Sequence, residues 1–250
     1  MFVGEIMTRN VIAATEDDTV EHVEQLMIRG RFRHMPIVRP TAARAAPAWP
    51  PRARGTVVGV VSDRDIALAL AQAGDAGRQR SMREVMHAPA LTVLPEMPVE
   101  DAALLMIEHQ IGCLPVVSGD ESLHAEGYAY GELIGIITES DLFRALIRLL
   151  GVQEPSTRIC LLLPPGRVDL LAEVLQVIAA RGVTLAGLVA EPVDRMGRWP
   201  VVMRLCTIYP TPIVQRIREM GIAIATPAEA SAAAAGEDAM PLATEGGHGV

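Results

Sequence analysis

Aromatic residues make up only 3 % of this 250-residue chain, although 50 % of it is hydrophobic. Ala, Val, Leu, Ile and Met must therefore fill the interior, which suits layered α/β packing of small and branched side chains. Cysteine is equally scarce. Cys113, Cys160 and Cys206 are odd in number, far apart and each set in an apolar run. With no CxxC or HxxxH spacing they form neither a disulfide framework nor a metal cluster, and they read as small buried hydrophobes of a reducing cytosol. No apolar stretch reaches about 18 residues, so no membrane span is expected. Glu5 and Arg9 near the N-terminus, without an apolar h-region, exclude a signal peptide. The net charge of -8, with both signs interspersed, argues against a nucleic-acid surface. Catalytic groupings are missing too: no Walker lysine, no nucleophile with an adjacent base and no poised carboxylate pair emerges from local spacing. The sequence reads as non-catalytic, with no metal and no catalytic cofactor.

What is present is a duplication. Val3 to Val38 overlays Met82 to Val117 without a gap at a constant offset of 79 residues. Ile6 meets Val85, Met7 meets Met86, Val20 meets Val99, Met27 meets Met106 and Pro36 meets Pro115. After loops of unequal length both copies resume with Gly59-Val60-Val61-Ser62-Asp63-Arg64-Asp65 and Gly135-Ile136-Ile137-Thr138-Glu139-Ser140-Asp141. A repeat this long predicts one pseudo-symmetric module.

Within the first copy the pattern predicts a short strand over 11–14 and a helix capped by Asp18 or Thr19 with Val20, Val23, Leu26 and Met27 on one face. A strand over 34–38 follows, its Pro36 at an edge or beside a ligand. Residues 40–55 form a Pro, Ala and Arg rich insert, 56–62 a third strand and 66–73 a closing helix. The second copy repeats this order with strands over 91–94, 113–117 and 133–138 and helices over 99–108 and 142–150. The paired methionines Met7, Met27, Met86 and Met106 are core fillers. A linker over 151–156 leads to strand 158–163, helix 168–181, strands 183–189 and 201–208, helix 212–220 and strand 222–225, a ferredoxin-like βαββαβ order. From residue 229 to 250 the composition predicts a disordered tail.

A hydroxyl three residues before a carboxylate at a helix start is the plain capping box, which satisfies orphan amides and binds nothing. Here it occurs twice, each time after a Gly-initiated β-branched strand that opens a helix, the place where open α/β units hold anions and ribose hydroxyls. Asp65 and Asp141 would accept ribose hydroxyls, each charged hydrogen bond contributing about 1.5–3 kcal/mol. Ser62 and Thr138 supply the hydroxyl. An apolar slot for a base would lie near Val11 and Ile12 or Leu91 and Thr92, beside the proline strand.

On these residues the duplicated unit resembles a pair of cystathionine-β-synthase (CBS) domains, a Bateman module, with the first domain over 1–75 and the second over 80–151. The resemblance implies a pseudo-symmetric disk binding AMP, ADP, ATP or S-adenosylmethionine as a regulatory ligand. It implies one site at Val11, Ile12, Arg33, His34, Met35, Pro36, Ser62, Arg64 and Asp65. The second would comprise Leu91, Thr92, Gly112, Cys113, Leu114, Pro115, Thr138, Ser140 and Asp141. The βαββαβ unit over 157–227 resembles an ACT domain, in which the loop at Pro165, Gly166 and Arg167 would hold an amino-acid effector; the alternative is that this unit dimerises the protein. The domain order, with Glu108 to Val117, is similar to that of a family of acetoin-utilization regulators, which implies a cytoplasmic homodimer acting on a regulated protein.

The two sites differ in charge. Arg64, with Arg31, Arg33 and His34 ahead of the proline strand, offers the first site cations, whereas Glu139 stands in the second. A carboxylate about 5 Å from a phosphate costs about 3 kcal/mol at an effective dielectric near 20, so the Ser62/Asp65 site is expected to bind the nucleotide more tightly. Two readings stay open, a nucleotide sensor and a constitutive dimeric scaffold whose hydroxyl–Asp pairs are only caps.

Overall fold

The computed structural model describes residues 1–40, 55–119 and 131–225. Most of the insert expected at 40–55 and the tail expected at 229–250 lie outside them. Two compact units result, one from Met1 to Ala145 and one beginning at Leu146.

The first copy runs α1 (Val3–Ile6), β1 (Thr8–Arg9), β2 (Ala14–Thr15), α2 (Val20–Gly30), β3 (His34–Pro40), β4 (Gly55–Ser62) and α3 (Asp63–Ala73). After α4 (Asp75–Arg78), the second runs α5 (Met82–Val85), α6 (Val99–Glu108), β5 (Cys113–Ser118), β6 (Glu132–Thr138) and α7 (Glu139–Leu149). Helix α2 forms as its sequence predicts. The Thr19 hydroxyl accepts from the His22 amide at 3.3 Å, and Val20, Val23, Leu26 and Met27 are buried, each worth about 1.5–3 kcal/mol when fully buried. Arg31 ends it in a left-handed conformation, φ 54°, as does Gln110 at the matching place after α6, φ 53°.

The sheet of this unit runs β1-β6-β4-β3-β2, with β5 also on β6. Its pairing crosses between the copies. Thr8 pairs with Ile136, while His87, the residue matching Thr8, bridges Val60, the residue matching Ile136. The short helices cross likewise. Val3 donates its amide to the Met97 carbonyl at 2.9 Å and Met82 to the Asp18 carbonyl at 2.9 Å. Val3 and Met7 are thereby buried with Val93, Ala102, Met106 and Leu114 of the second copy. Met82 joins Val20, Val23, Leu26, Met35 and Ile37 of the first. A further cluster of Ala13, Val38, Val57, Leu94 and Val117 joins the two.

Three expectations change. Residues 11–14 yield only the two-residue β2, and 91–94 yield a single parallel bridge at Val93; prolines at 89 and 95 leave few ladder donors there. Pro36 is not at an edge, since β3 lies between β4 and β2. Val60 exchanges its amide and carbonyl with His87 at 3.0 and 2.9 Å, so β4 asks no amide of Pro36 opposite it. Pro115 repeats this opposite Ile136, its carbonyl accepting from the Val93 amide at 3.0 Å.

In the second unit β7 (Thr157–Leu163), α8 (Val168–Ala179), β8 (Leu185–Ala190), β9 (Trp199–Leu205), α9 (Thr211–Glu219) and β10 (Ala223–Ile224) follow the expected βαββαβ order. The antiparallel sheet runs β10-β7-β9-β8, and α8 and α9 cover a core of Leu161, Leu163, Val174, Ile178, Met203 and Ile217. No helix among the described residues is long and apolar enough to cross a membrane.

The crossing explains the glycines that open the two motifs. A Cβ on Gly59 would lie 2.6 Å from the Met86 sulfur and 2.9 Å from the His87 carbonyl oxygen; on Gly135 it would lie 2.5 Å from the Met7 sulfur and 3.2 Å from the Thr8 oxygen. Gly59→Ala and Gly135→Ala are each expected to cost about 1–3 kcal/mol by overpacking, against at most about 0.5 for Ala67→Ser on the exposed side of α3. Urea denaturation measures this, and unchanged stability in both glycine variants would remove the crossing as a constraint.

Candidate functional site

Ser62 and Asp65 form a reciprocal capping box at the start of α3, and Thr138 and Asp141 make the carboxylate half of the same box at α7. Asp65 Oδ2 accepts from the Ser62 amide at 2.8 Å and hydroxyl at 2.6 Å, and Asp141 Oδ2 from the Thr138 amide at 3.0 Å and hydroxyl at 2.7 Å. The second oxygen of each carboxylate has a different partner. His87 Nε2 lies 3.0 Å from Asp65 Oδ1, brought there by the crossing of the second copy's leading segment. Arg144 Nη1 donates to Asp141 Oδ1 at 3.1 Å, one helical turn along α7. Asp65 titrates below its ordinary value: burial opposes this, but the Ser62 hydroxyl and amide, and then His87, outweigh it.

A cleft of about 410 Å³ opens over the Thr138–Asp141 box. Thr8, Asn10, Val11, Ile12 and Ile136 line it with Arg31, Phe32, Arg33 and His34; Gly112, Glu139, Ser140 and Arg144 complete the wall. The crossing regroups the residues expected of the two sites. Val11, Ile12, Arg33 and His34, assigned from sequence to the Ser62/Asp65 site, line the cleft of Thr138 and Asp141 instead, and so does Arg31. Arg31, Arg33 and His34, the cations counted toward the first site, thus share the cleft with Glu139, while Arg64 remains beside Ser62 and Asp65. Gly112, Thr138, Ser140 and Asp141 lie in this cleft as expected.

Other residues expected at the sites fall elsewhere. Met35 and Leu114 are fully buried core, and Thr92 and Cys113 are buried, as are Pro36 and Pro115. Leu91 packs against the second copy's core, and Arg64 is exposed beside the Ser62–Asp65 box. Burial pushes the Cys113 thiol up to about 12, assisted by Glu139, which makes it inert. The sequence reading missed Thr8, Asn10, Phe32, Ile136 and Arg144; only Arg144 carried a signal, its spacing of three from Asp141 on one helix face. All basic residues apart from histidine are arginines, the side chain that matches phosphate with a planar fork of donors. In the second unit Pro165, Gly166 and Arg167 form an exposed turn. Gly166 has φ 76°, and Arg167 is engaged by Asp169 at 2.6–3.0 Å. Among the described residues no group of histidine, cysteine and carboxylates could hold a metal ion.

A family model for the CBS domain matches residues 3–72 and 82–148. The CBS domain-containing protein YhcV of Bacillus subtilis is 29% identical over 140 residues, 56% of this chain and 81% of that protein. The homoserine O-acetyltransferase of Methanohalophilus mahii is 29% identical over 145 residues, but the chain spans only 24% of its length. Among solved structures, a protein of Vibrio cholerae described as an acetoin utilization protein (AcuB) shares 31% identity over 61% of this chain and 95% of that one, with a TM-score of 0.45. CBSX2 in complex with AMP shares 26% over 58% of this chain and 96% of that one, with a TM-score of 0.44.

Two measurements follow from this geometry. The folded pKa of Asp65 lies below the ordinary 3.8, so its stabilising contribution is complete above that value and is lost as pH falls through the folded pKa. Asp65→Asn should lower stability at pH 7 and flatten the loss between pH 4 and about 2, as read by acid denaturation; an identical acid limb would contradict the bonding described. The Cys113 thiol should resist aromatic disulfide reagents at pH 8 until the protein is unfolded, and rapid labelling of Cys113 in the folded protein would contradict its burial.

Proposed function

The chain belongs to the CBS-domain family, and from that premise we propose that its paired domains are a non-catalytic, regulatory sensor of an adenosine-type nucleotide, with the stronger site at Thr138 and Asp141. The observation that supports this is the cleft over those residues, which gathers the hydroxyl–carboxylate pair, an apolar slot and arginines into one cavity. In this reading Asp141 Oδ1 accepts the ribose hydroxyls once Arg144 turns aside. Val11, Ile12 and Ile136 flank the base, and Arg31, Arg33 and the freed Arg144 meet the phosphate by charge-assisted hydrogen bonds. AMP, ADP, ATP and S-adenosylmethionine all carry the adenosine this arrangement fits. The Ser62/Asp65 site is a weaker second position.

Occupancy would regulate by favouring one arrangement of the copies over another, an effect of about 1–3 kcal/mol in typical coupled systems. The βαββαβ unit, read as ACT-like, then relays the change or holds a cytoplasmic homodimer together. An amino-acid effector at Pro165, Gly166 and Arg167 is the lesser part of this reading, since Arg167 is already paired with Asp169. A regulated protein, with a place in acetoin or acetate metabolism, belongs to the proposal through domain order alone. One observation favours a second reading, a ligand-free dimeric scaffold: both aspartates already accept from the hydroxyl and amide that open their helices.

Calorimetric titration of the full chain with AMP, ADP, ATP and S-adenosylmethionine decides between them, run beside Asp65→Ala and Asp141→Ala. The expected result is saturable binding whose tighter phase is lost in Asp141→Ala, and stabilisation by about 2.7 kcal/mol at a ligand concentration 100 times its dissociation constant. Loss in Asp65→Ala alone would return the stronger site to the first copy. No heat with any ligand, in folded and nucleotide-free protein, would leave the scaffold.

A further inference from the structure

The cleft over Thr138 contains a conflict of charge that its lining also resolves. Glu139 stands where an incoming phosphate would be repelled. Across from it, where the first copy has Arg33, the second has Gly112, and the missing side chain lets the His34 ring close up against its backbone. A Cβ placed there would lie 3.0 Å from both Cε1 and Nε2 of His34 and 3.7 Å from Glu139 Oε2. The imidazole and the carboxylate therefore border the same opening, and both line the cleft. The matching residue of the second copy is Cys113, buried and inert, so this ring has no counterpart there.

Resting on the nucleotide reading above, we propose that His34 is a proton-linked specificity residue: it takes up a proton when a phosphorylated adenosine enters the cleft, and the imidazolium then lies between the phosphate and Glu139. The charged groups around the ring are Arg33 just before its strand, Asp63 and Asp65 on α3 and Glu139 on α7, with Arg31, Asp141 and Arg144 in the same cleft. In the free protein burial and then Arg33 hold His34 below its ordinary value, against the opposing pull of Asp63, Glu139 and Asp65. The free ring is thus held toward its neutral form. An added dianion reverses the balance, since two anions facing one imidazole favour its charged form. Uncharged adenosine supplies no such field. The cleft accordingly separates phosphorylated from unphosphorylated adenosine by more than its arginines alone achieve, and most strongly as pH falls from 8 toward 7.

The test is calorimetric titration of the full chain at pH 7.5 with AMP and with adenosine, in buffers of widely different ionisation enthalpy, which reads protons taken up per ligand bound. Wild-type protein is expected to take up about half a proton or more with AMP beyond what His34→Asn takes up, and no excess with adenosine. Glu139→Gln should shrink the excess and relieve the loss of AMP affinity toward pH 8. AMP binding with equal uptake in wild type and His34→Asn would overturn the role of His34 while leaving the nucleotide reading intact. Binding of neither ligand would overturn both. Circular dichroism and an unchanged melting transition in His34→Asn separate a lost proton from a lost fold.

Discussion

Each copy's leading segment completes the other copy's core, and the site is built on that exchange. Residues 1–9 carry Val3 and Met7 into the second copy, and residues 80–88 carry Met82 and Val85 into the first. A side chain fully buried this way contributes about 1.5–3 kcal/mol, so neither half closes its interior without the other. The same crossing leaves no space for a side chain at Gly59 or Gly135 and sets His87 on Asp65. It also brings Thr8, Asn10, Val11 and Ile12 over the Thr138–Asp141 box. A ligand in that cleft touches both copies, so its affinity depends on how they are arranged. Differential affinity of this kind is what a regulatory module requires.

Much of this was legible in the sequence and the crossing was not. Helices α2 and α6 declared themselves by apolar spacing, and the strands after each proline by their β-branched runs. The hydroxyl–Asp pairs were evident from their position at a strand-to-helix turn. The partner of each leading segment was hidden by the duplication itself. Ile6 and Val85, Met7 and Met86 are interchangeable in size and polarity, so pairing within a copy and pairing between copies bury similar surface. Sequence register cannot separate the two. Val11, Ile12, Arg31, Arg33 and His34 were grouped with Ser62 and Asp65 for this one reason, whereas they line the cleft of Thr138 and Asp141.

The copies have diverged where a ligand would feel it. Thr8 stands where the second copy has His87, and Leu68 where it has Arg144. The free oxygen of Asp65 therefore faces an imidazole from the other copy, and that of Asp141 an arginine from its own helix. Within the Thr138 cleft Arg144 and Asp141 offset each other, which leaves Arg31 and Arg33 against Glu139. A repulsion of about 3 kcal/mol from one carboxylate at about 5 Å is matched by an attraction of the same order from either guanidinium at that range. Glu139 alone does not make the cleft hostile to phosphate.

The capping box and the binding site are not competing accounts of Asp141, because they use different oxygens. Oδ2 holds the Thr138 amide and hydroxyl and starts α7. Oδ1 holds Arg144, whose side chain is 77% exposed while that of Asp141 is 9% exposed. The guanidinium end of this pair is open to water and can be resolvated when it leaves the carboxylate. A ribose hydroxyl donating to the same oxygen contributes about 1.5–3 kcal/mol. In the proposed reading, exchange of Arg144 for ribose leaves the bonds of Oδ2 to Thr138 in place. It also frees a guanidinium beside the phosphate. The helix start and the proposed nucleotide site can thus share one aspartate through its two oxygens.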